Sequence, residues 1–226
     1  MDFWRQVRVI AVKDLRAELR TKEAINAALA FALVILLLFS FAIDPTEVTS
    51  LDISGGLLWI VFAFAGTLVL NRSFAREVPN DCLDALVAAP LSGASLFLGK
   101  ALANFVLVLA IELVSLPVFG VFYDVRWARQ FPALLLVLAM GSWGLTVIGT
   151  IFSALTVNIR LRELMLPLLV FPILTPALIS AMQLSTLLIA GSPLAGDATA
   201  SLKMLFGFDV IFTALSLALV EVVLVG

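Results

Sequence analysis

The stretch ALANFVLVLAIELVSLPVFGVFY, residues 101–123, carries a single charged side chain, Glu112, in an otherwise overwhelmingly apolar run. A bilayer hydrocarbon core about 30 Å thick is crossed by roughly 20 such residues in a helix. A surface helix of a soluble domain would show a polar face; this one is apolar all round, as a span must be. Working outward, the same reading applies at about 24–43, 53–70, 131–157, 164–190 and 205–225. The fold expected is therefore an all-α integral membrane protein with six transmembrane helices, residues 1–226 forming one domain. Composition points the same way. Hydrophobic residues make up 62% of the chain and charged residues 13%, about half of the roughly 25% found in soluble domains. No soluble fold of 226 residues hides that much apolar surface, whereas lipid solvates the outer faces of a multispanning one.

Two scarcities narrow the chemistry. With no histidine, Ser-His and Cys-His catalytic pairs, imidazole metal sites and histidine haem ligation are excluded. Cys82 is the sole cysteine, so an intramolecular disulfide and a thiolate metal cluster are excluded as well. The net charge of −2 offers nothing to nucleic acid.

Lysine and arginine set the expected orientation. Arg5, Arg8, Lys13, Arg16, Arg20 and Lys22 precede the first span, Arg72, Arg76 and Lys100 border the second loop, and Arg160 and Arg162 the fourth. The opposite side holds only Arg126, Arg129 and Lys203, so both termini are expected in the cytoplasm. No cleavage pattern follows the first apolar run closely, which favours an uncleaved span over a signal peptide. Residues 1–22 form a candidate interfacial helix. At 100° per residue Trp4, Val7, Ala11, Leu15 and Leu19 share one face, Arg5, Lys13, Arg16 and Arg20 lie nearly opposite, and Arg8, Asp14 and Glu18 stray onto the apolar side.

The second cytoplasmic loop carries the functional signal. Asp81 and Asp84 suit a helix start, Leu83, Leu86 and Val87 form an i, i+3, i+4 stripe, and Pro90 ends it. A short helix presenting leucines in a charged loop docks on a partner protein or on the lipid surface.

The run Arg72-Ser73-Phe74-Ala75-Arg76-Glu77, the leucine helix closed by Pro90, and Gly99-Lys100 together resemble the first cytoplasmic loop of ABC-2-type transporter permeases. With Trp59, Phe62-Ala63-Phe64-Ala65, Gly149-Thr150-Ile151-Phe152 and the prolines Pro167, Pro172 and Pro176, most of the chain is similar to the haem exporter protein B family. That family supplies the permease subunit of the cytochrome c maturation ABC transporter. The resemblance implies a non-enzymatic membrane subunit in haem export or delivery for c-type cytochrome biogenesis, multi-pass in the bacterial inner membrane. It implies ATP hydrolysis on a separate cytoplasmic ATPase, expected in two copies, and this chain has no G-x-x-x-x-G-K-[ST] phosphate loop of its own. Residues 81–89 match the coupling helix, so Arg76, Glu77, Asp81, Leu83, Asp84, Leu86 and Val87 are the ATPase-coupling candidates. Arg160 and Arg162 in the 158–163 loop provide a second contact. Further partners implied are a haem-handling membrane subunit, a small single-span protein and a periplasmic haem chaperone, besides membrane lipid. Haem is a transported or handled ligand rather than a bound cofactor, and no catalytic or metal site is expected. A generic ABC-2 exporter of lipid, glycan or drug, and a non-transporting scaffold for the haem-handling subunit, are the alternatives.

Inside the membrane, Glu112 is expected to face another helix, because a carboxylate at the bilayer centre costs roughly 2.5–3.5 kcal/mol or more. Asn104 or the hydroxyls of the fourth span are its candidate partners. Gly141, Gly144 and Gly149 predict close helix packing. Pro167, Pro172 and Pro176 predict a kinked or broken fifth span, serving as a hinge or as a fixed bend. Asp209 is expected near the outer interface, without a role.

Overall fold

The computed structural model describes residues 2–42, 50–78, 91–157, 159, 161–196 and 198–225. Among them the chain is helical throughout its regular structure, without strands. Helix α1 (Phe3–Thr21) turns at Lys22, in the left-handed region at φ 56°, into α2 (Glu23–Ala42). There follow α3 (Ser50–Leu70), α4 (Gly93–Tyr123), a 3-10 turn at Trp127–Gln130, α5 (Phe131–Thr156), α6 (Arg162–Ile189) and α7 (Ala198–Val225). Helices α2 to α7 are the six long and apolar enough to cross a membrane.

Two of the expected spans are longer than hydropathy alone indicates. Helix α4 starts at Gly93 rather than near 101, because the Ser92 hydroxyl caps it by accepting the Ser95 N–H at 3.1 Å. Helix α7 starts at Ala198 rather than near 205. Helix α6 runs unbroken from Arg162 to Ile189 through all three prolines, so of the two expected outcomes, a kink or a break, the break does not occur.

Helices α3 and α5 form the centre of the bundle: 72% of the residues in an apolar stretch of each are buried, against 22% in α2 and α7. Small residues set their packing. A Cβ at Gly141 would overlap the Trp59 ring, and one at Gly149 would overlap Leu70, so α5 meets α3 closely at two levels. Trp59 Nε1 donates to Ser185 Oγ at 2.9 Å and ties α3 to α6, while Ser153 Oγ donates to the Leu70 carbonyl at 2.8 Å. At the opposite end of the bundle from α1, Tyr123 O–H donates to the Leu36 carbonyl at 2.9 Å. Gln130 Nε2 donates there to the Ser192 carbonyl at 3.1 Å.

Helix α1 lies against α4 and presents a different face from the one its apolar periodicity predicts. Val7, Ile10 and Glu18 are buried, whereas Trp4 and Leu19 are 72% and 58% exposed. The reason is the surface it meets, which has both a glycine gap and a buried cation.

Candidate functional site: an ionic hub at the base of the second loop

The N-terminal end of the bundle gathers charges from α1, α2, α4 and segment 71–78. Gly99 opens the site: a Cβ there would stand 2.7 Å from the Ile10 Cβ, so only glycine admits α1 at this depth. The next residue, Lys100, is fully buried and points its ammonium into the junction. Nζ donates to Asp14 Oδ2 at 3.1 Å, to the Ser73 carbonyl at 2.9 Å and to Glu77 Oε1 at 3.1 Å. It also sits 4.9 Å from the centre of the Phe74 ring, a cation–π contact.

Around this lysine a second ring of pairs closes. Lys13 of α1 reaches Glu77 at 2.5 Å and Asp14 at 3.1 Å. Arg76 pairs with the fully buried Glu18, whose other oxygen accepts the N–H groups of Ala24 at 2.8 Å and Ile25 at 3.0 Å. Glu18 thus caps the N-terminus of α2, where a negative charge meets free N–H groups and the positive end of the helix dipole. Arg72 pairs with Glu23 in the first turn of α2. Deeper, Asn104 Nδ2 donates to Ser73 Oγ and to Thr150 Oγ1, each at 2.9 Å, which carries the polar chain across α4 into α5.

The electrostatics of the hub are mutually supporting. Burial would raise the Glu77 carboxyl, but the Lys100 ammonium and the hydrogen bonds from Lys13 and Lys100 outweigh it and hold the group below its ordinary 4.5. Burial likewise opposes the charge on Lys13, yet Glu77 and Asp14 lift it above its ordinary 10.5. Burial lowers the Arg76 guanidinium below its ordinary value against the pull of Asp14 and Glu77.

Beside the hub, Arg72 and Arg76 line a groove of about 640 Å³ together with Asn71, Glu23, Arg162 and Glu163. Arg76 and Arg162, widely separated in sequence, therefore line one groove at the end of the bundle that also holds Glu77. Asp81, Leu83, Asp84, Leu86, Val87 and Arg160 lie outside the described residues. Pro167, Pro172 and Pro176 stand apart from the hub, within α6.

Glu112 is fully buried and accepts the Ser142 hydroxyl at 2.6 Å, so it faces α5. Asn104, the other candidate partner, turns to Ser73 and Thr150 instead. Asp209 is not at an interface. It is 8% exposed and packs against Gly144, near the middle of α5.

Sequence reasoning did not select Lys100, Asp14, Glu18 or Lys13 as site residues. A signal for two of them was nevertheless present: Asp14 and Glu18 are carboxylates on the apolar side of an amphipathic helix, a placement that is costly unless a buried cation meets them.

Comparison with known proteins places this architecture. A family model described as CcmB protein matches residues 5–222. The chain is 32% identical to "Heme exporter protein B" of Rhodobacter capsulatus, over 79% of this chain and 81% of the relative. To the protein of the same name in Paracoccus denitrificans it is 32% identical, over 76% and 79% of the two chains. To that of Escherichia coli K12 it is 28% identical, over 89% and 94%.

Proposed function

This chain belongs to the CcmB protein family, and we propose that it is the membrane subunit of an ABC transporter acting in haem export or delivery for c-type cytochrome biogenesis. In this reading residues 1–226 form one ABC-2-type transmembrane domain in the bacterial inner membrane, with both termini cytoplasmic. ATP is hydrolysed by a separate cytoplasmic ATPase, present in two copies. Haem is cargo or a handled ligand. The other partners are a haem-handling membrane subunit, a small single-span protein and a periplasmic haem chaperone.

The observation that supports the mechanical part is the ionic hub. Segment 71–78, which leads into the coupling-helix candidates Asp81, Leu83, Asp84, Leu86 and Val87, is held to α1, α2 and α4 by Arg72, Arg76 and Glu77. A displacement of the loop by the ATPase is therefore delivered to α1 and to the start of two spans together, rather than absorbed by a slack connection. Arg160 and Arg162 offer the second contact. Transmission ends in haem movement or in release of the loaded chaperone.

A covalent-haem stain of c-type cytochromes in a strain lacking this gene, with plasmid rescue, tests the reading. Loss of stained cytochromes, restored by the plasmid, supports it. Normal staining overturns it and leaves an ABC-2 exporter of other cargo. A purified complex whose ATPase rate responds to the loaded chaperone, with no haem flux in vesicles, would favour the scaffold alternative.

A further inference from the structure

Helix α1 has a second face, turned away from the hub, and the fold sorts its charges between the two. Asp14 and Glu18 point inward, where Lys100 and Arg76 meet them. Arg5, Arg8, Arg16 and Arg20 are exposed, and no ion pair or hydrogen bond engages their side chains among the described residues. Asp2, ahead of the first turn, is the one acid of residues 2–21 left on the outside. The even mixture of signs along this segment therefore becomes a cationic outer surface only once α1 docks.

At about 100° per residue the four arginines share an arc of about 120° opposite Val7, Ile10, Asp14 and Glu18, and they extend over about 22 Å of helix. Among them stand exposed apolar side chains: Trp4 at 72%, Val9 at 57% and Leu19 at 58%. Water alone does not favour that apolar area, and hydrocarbon alone does not accept four unpaired guanidiniums. The position of the helix fits the boundary between the two. Lys22 alone separates α1 from α2, a membrane-spanning helix of which only 22% of an apolar stretch is buried in the bundle.

We propose that the outward face of α1 binds anionic phospholipid headgroups at this end of the bundle, the cytoplasmic leaflet in the orientation assigned above. Charge complementarity selects the occupant. Lipid phosphates pair with Arg5, Arg8, Arg16 and Arg20, while Trp4, Val9 and Leu19 enter the layer between headgroup and acyl chain. The apolar residues are interleaved with the arginines rather than gathered into one stripe, which suits a fluid headgroup layer better than the groove of a single folded partner. With Lys13, Asp14 and Glu18 engaged on its inner side, α1 is then held between the lipid surface and the hub. The lipid surface rests on neither haem nor an ATPase, and the test below presents the same lipid to both leaflets, so it can fail separately from the functional reading.

The test uses the full-length chain in nanodiscs of phosphatidylcholine and phosphatidylglycerol, with a fluorescent amino acid replacing Val9. A nitroxide quencher is carried by one lipid or the other, and the ratio of quenching gives their relative binding. Phosphatidylglycerol should be preferred at least about fivefold, the worth of one arginine at an anionic surface. The preference should collapse in high salt. The same fluorophore at Leu136, on the exposed side of α5 near its other end, should show no preference. Replacing Arg5, Arg8, Arg16 and Arg20 together by glutamine should bring the ratio at position 9 close to one, with protease protection of α1 unchanged because the hub is untouched. Should that variant not accumulate, the salt dependence of the unaltered arginines decides. An equal affinity for both lipids, a preference that survives the four substitutions or high salt, or a label that neither lipid quenches overturns the proposal. So does a benzophenone at position 9 that, in native membranes, joins a protein chain rather than phospholipid.

Discussion

Lys100 shows what a single buried charge can organise when each of its protons has an acceptor. An ammonium has three donors, and here they meet a carboxylate of α1, a backbone carbonyl of segment 71–78 and the carboxylate of Glu77. Removing one partner from such a group costs far more than the pair contributes, because the charges left behind stay buried. Lys100→Met should therefore destabilise the chain by about 3–5 kcal/mol, read as a lowered thermal transition in detergent. Lys100→Arg should not restore it, since a planar guanidinium cannot satisfy three acceptors arranged around a point charge. The hub also has a defined pH window. Glu77 is depressed, so its contribution is complete above its ordinary 4.5 and is lost as pH falls through the lower folded value. Lys13 is raised, so its contribution is complete below its ordinary 10.5 and is lost as pH rises through the higher folded value. Protease protection of α1 should accordingly be flat from about pH 5 to pH 10 and fall away outside that range. A midpoint near neutrality would show that other groups control docking.

Among the elements, α1 behaves as a strut. Its apolar residues do not point together into lipid; Val7 and Ile10 enter the α4 interface at Gly99 while Trp4 faces outward. Gly99→Leu should push α1 off that interface without disturbing the spans, giving faster cleavage within residues 3–21 and unchanged membrane insertion. The coupling assignment makes a separate prediction. Leu86→Asp places a charge in the leucine stripe, so it should leave insertion intact and uncouple the ATPase. Normal cytochrome maturation in that variant would remove residues 81–89 from the coupling role. Helix α6 shows why a proline count is a poor guide to helix ends. Each proline removes one backbone donor and leaves the carbonyl four residues earlier without its helical partner, yet the helix continues from Arg162 to Ile189.

At the scale of the whole molecule the bundle is layered by composition. The small-residue helix α5 and the buried α3 occupy the centre, and the largely exposed α2 and α7 provide the outer faces. Among the described residues, ten of the basic side chains lie at the end that carries α1, segment 71–78 and the start of α6. A reporter fused at the C-terminus should therefore be fluorescent as a cytoplasmic protein and inactive as a periplasmic phosphatase. The reverse result would invert the assigned orientation and with it the coupling loop.

The six spans, their order and the family resemblance were readable from the residues, because hydropathy is a local, additive property of about 20 consecutive side chains. Boundaries were less legible: Ser92 extends α4 by a capping bond that no hydropathy window registers. The partner of Glu112 was narrowed to Asn104 or a hydroxyl of the fourth span, and the geometry selected Ser142. The meeting of Lys100 with Asp14 and Glu77, and the packing of Asp209 against Gly144, depend on where separate helices cross. Crossing points are fixed by the glycines that let backbones approach and by the rotation of each helix about its axis. Composition and local pattern therefore determined that this chain spans a membrane and where its loops begin. Tertiary packing alone decided which of its few charges became a paired hub and which carboxylate was set against Gly144 instead, since a charge acquires its partner across space and not along the chain.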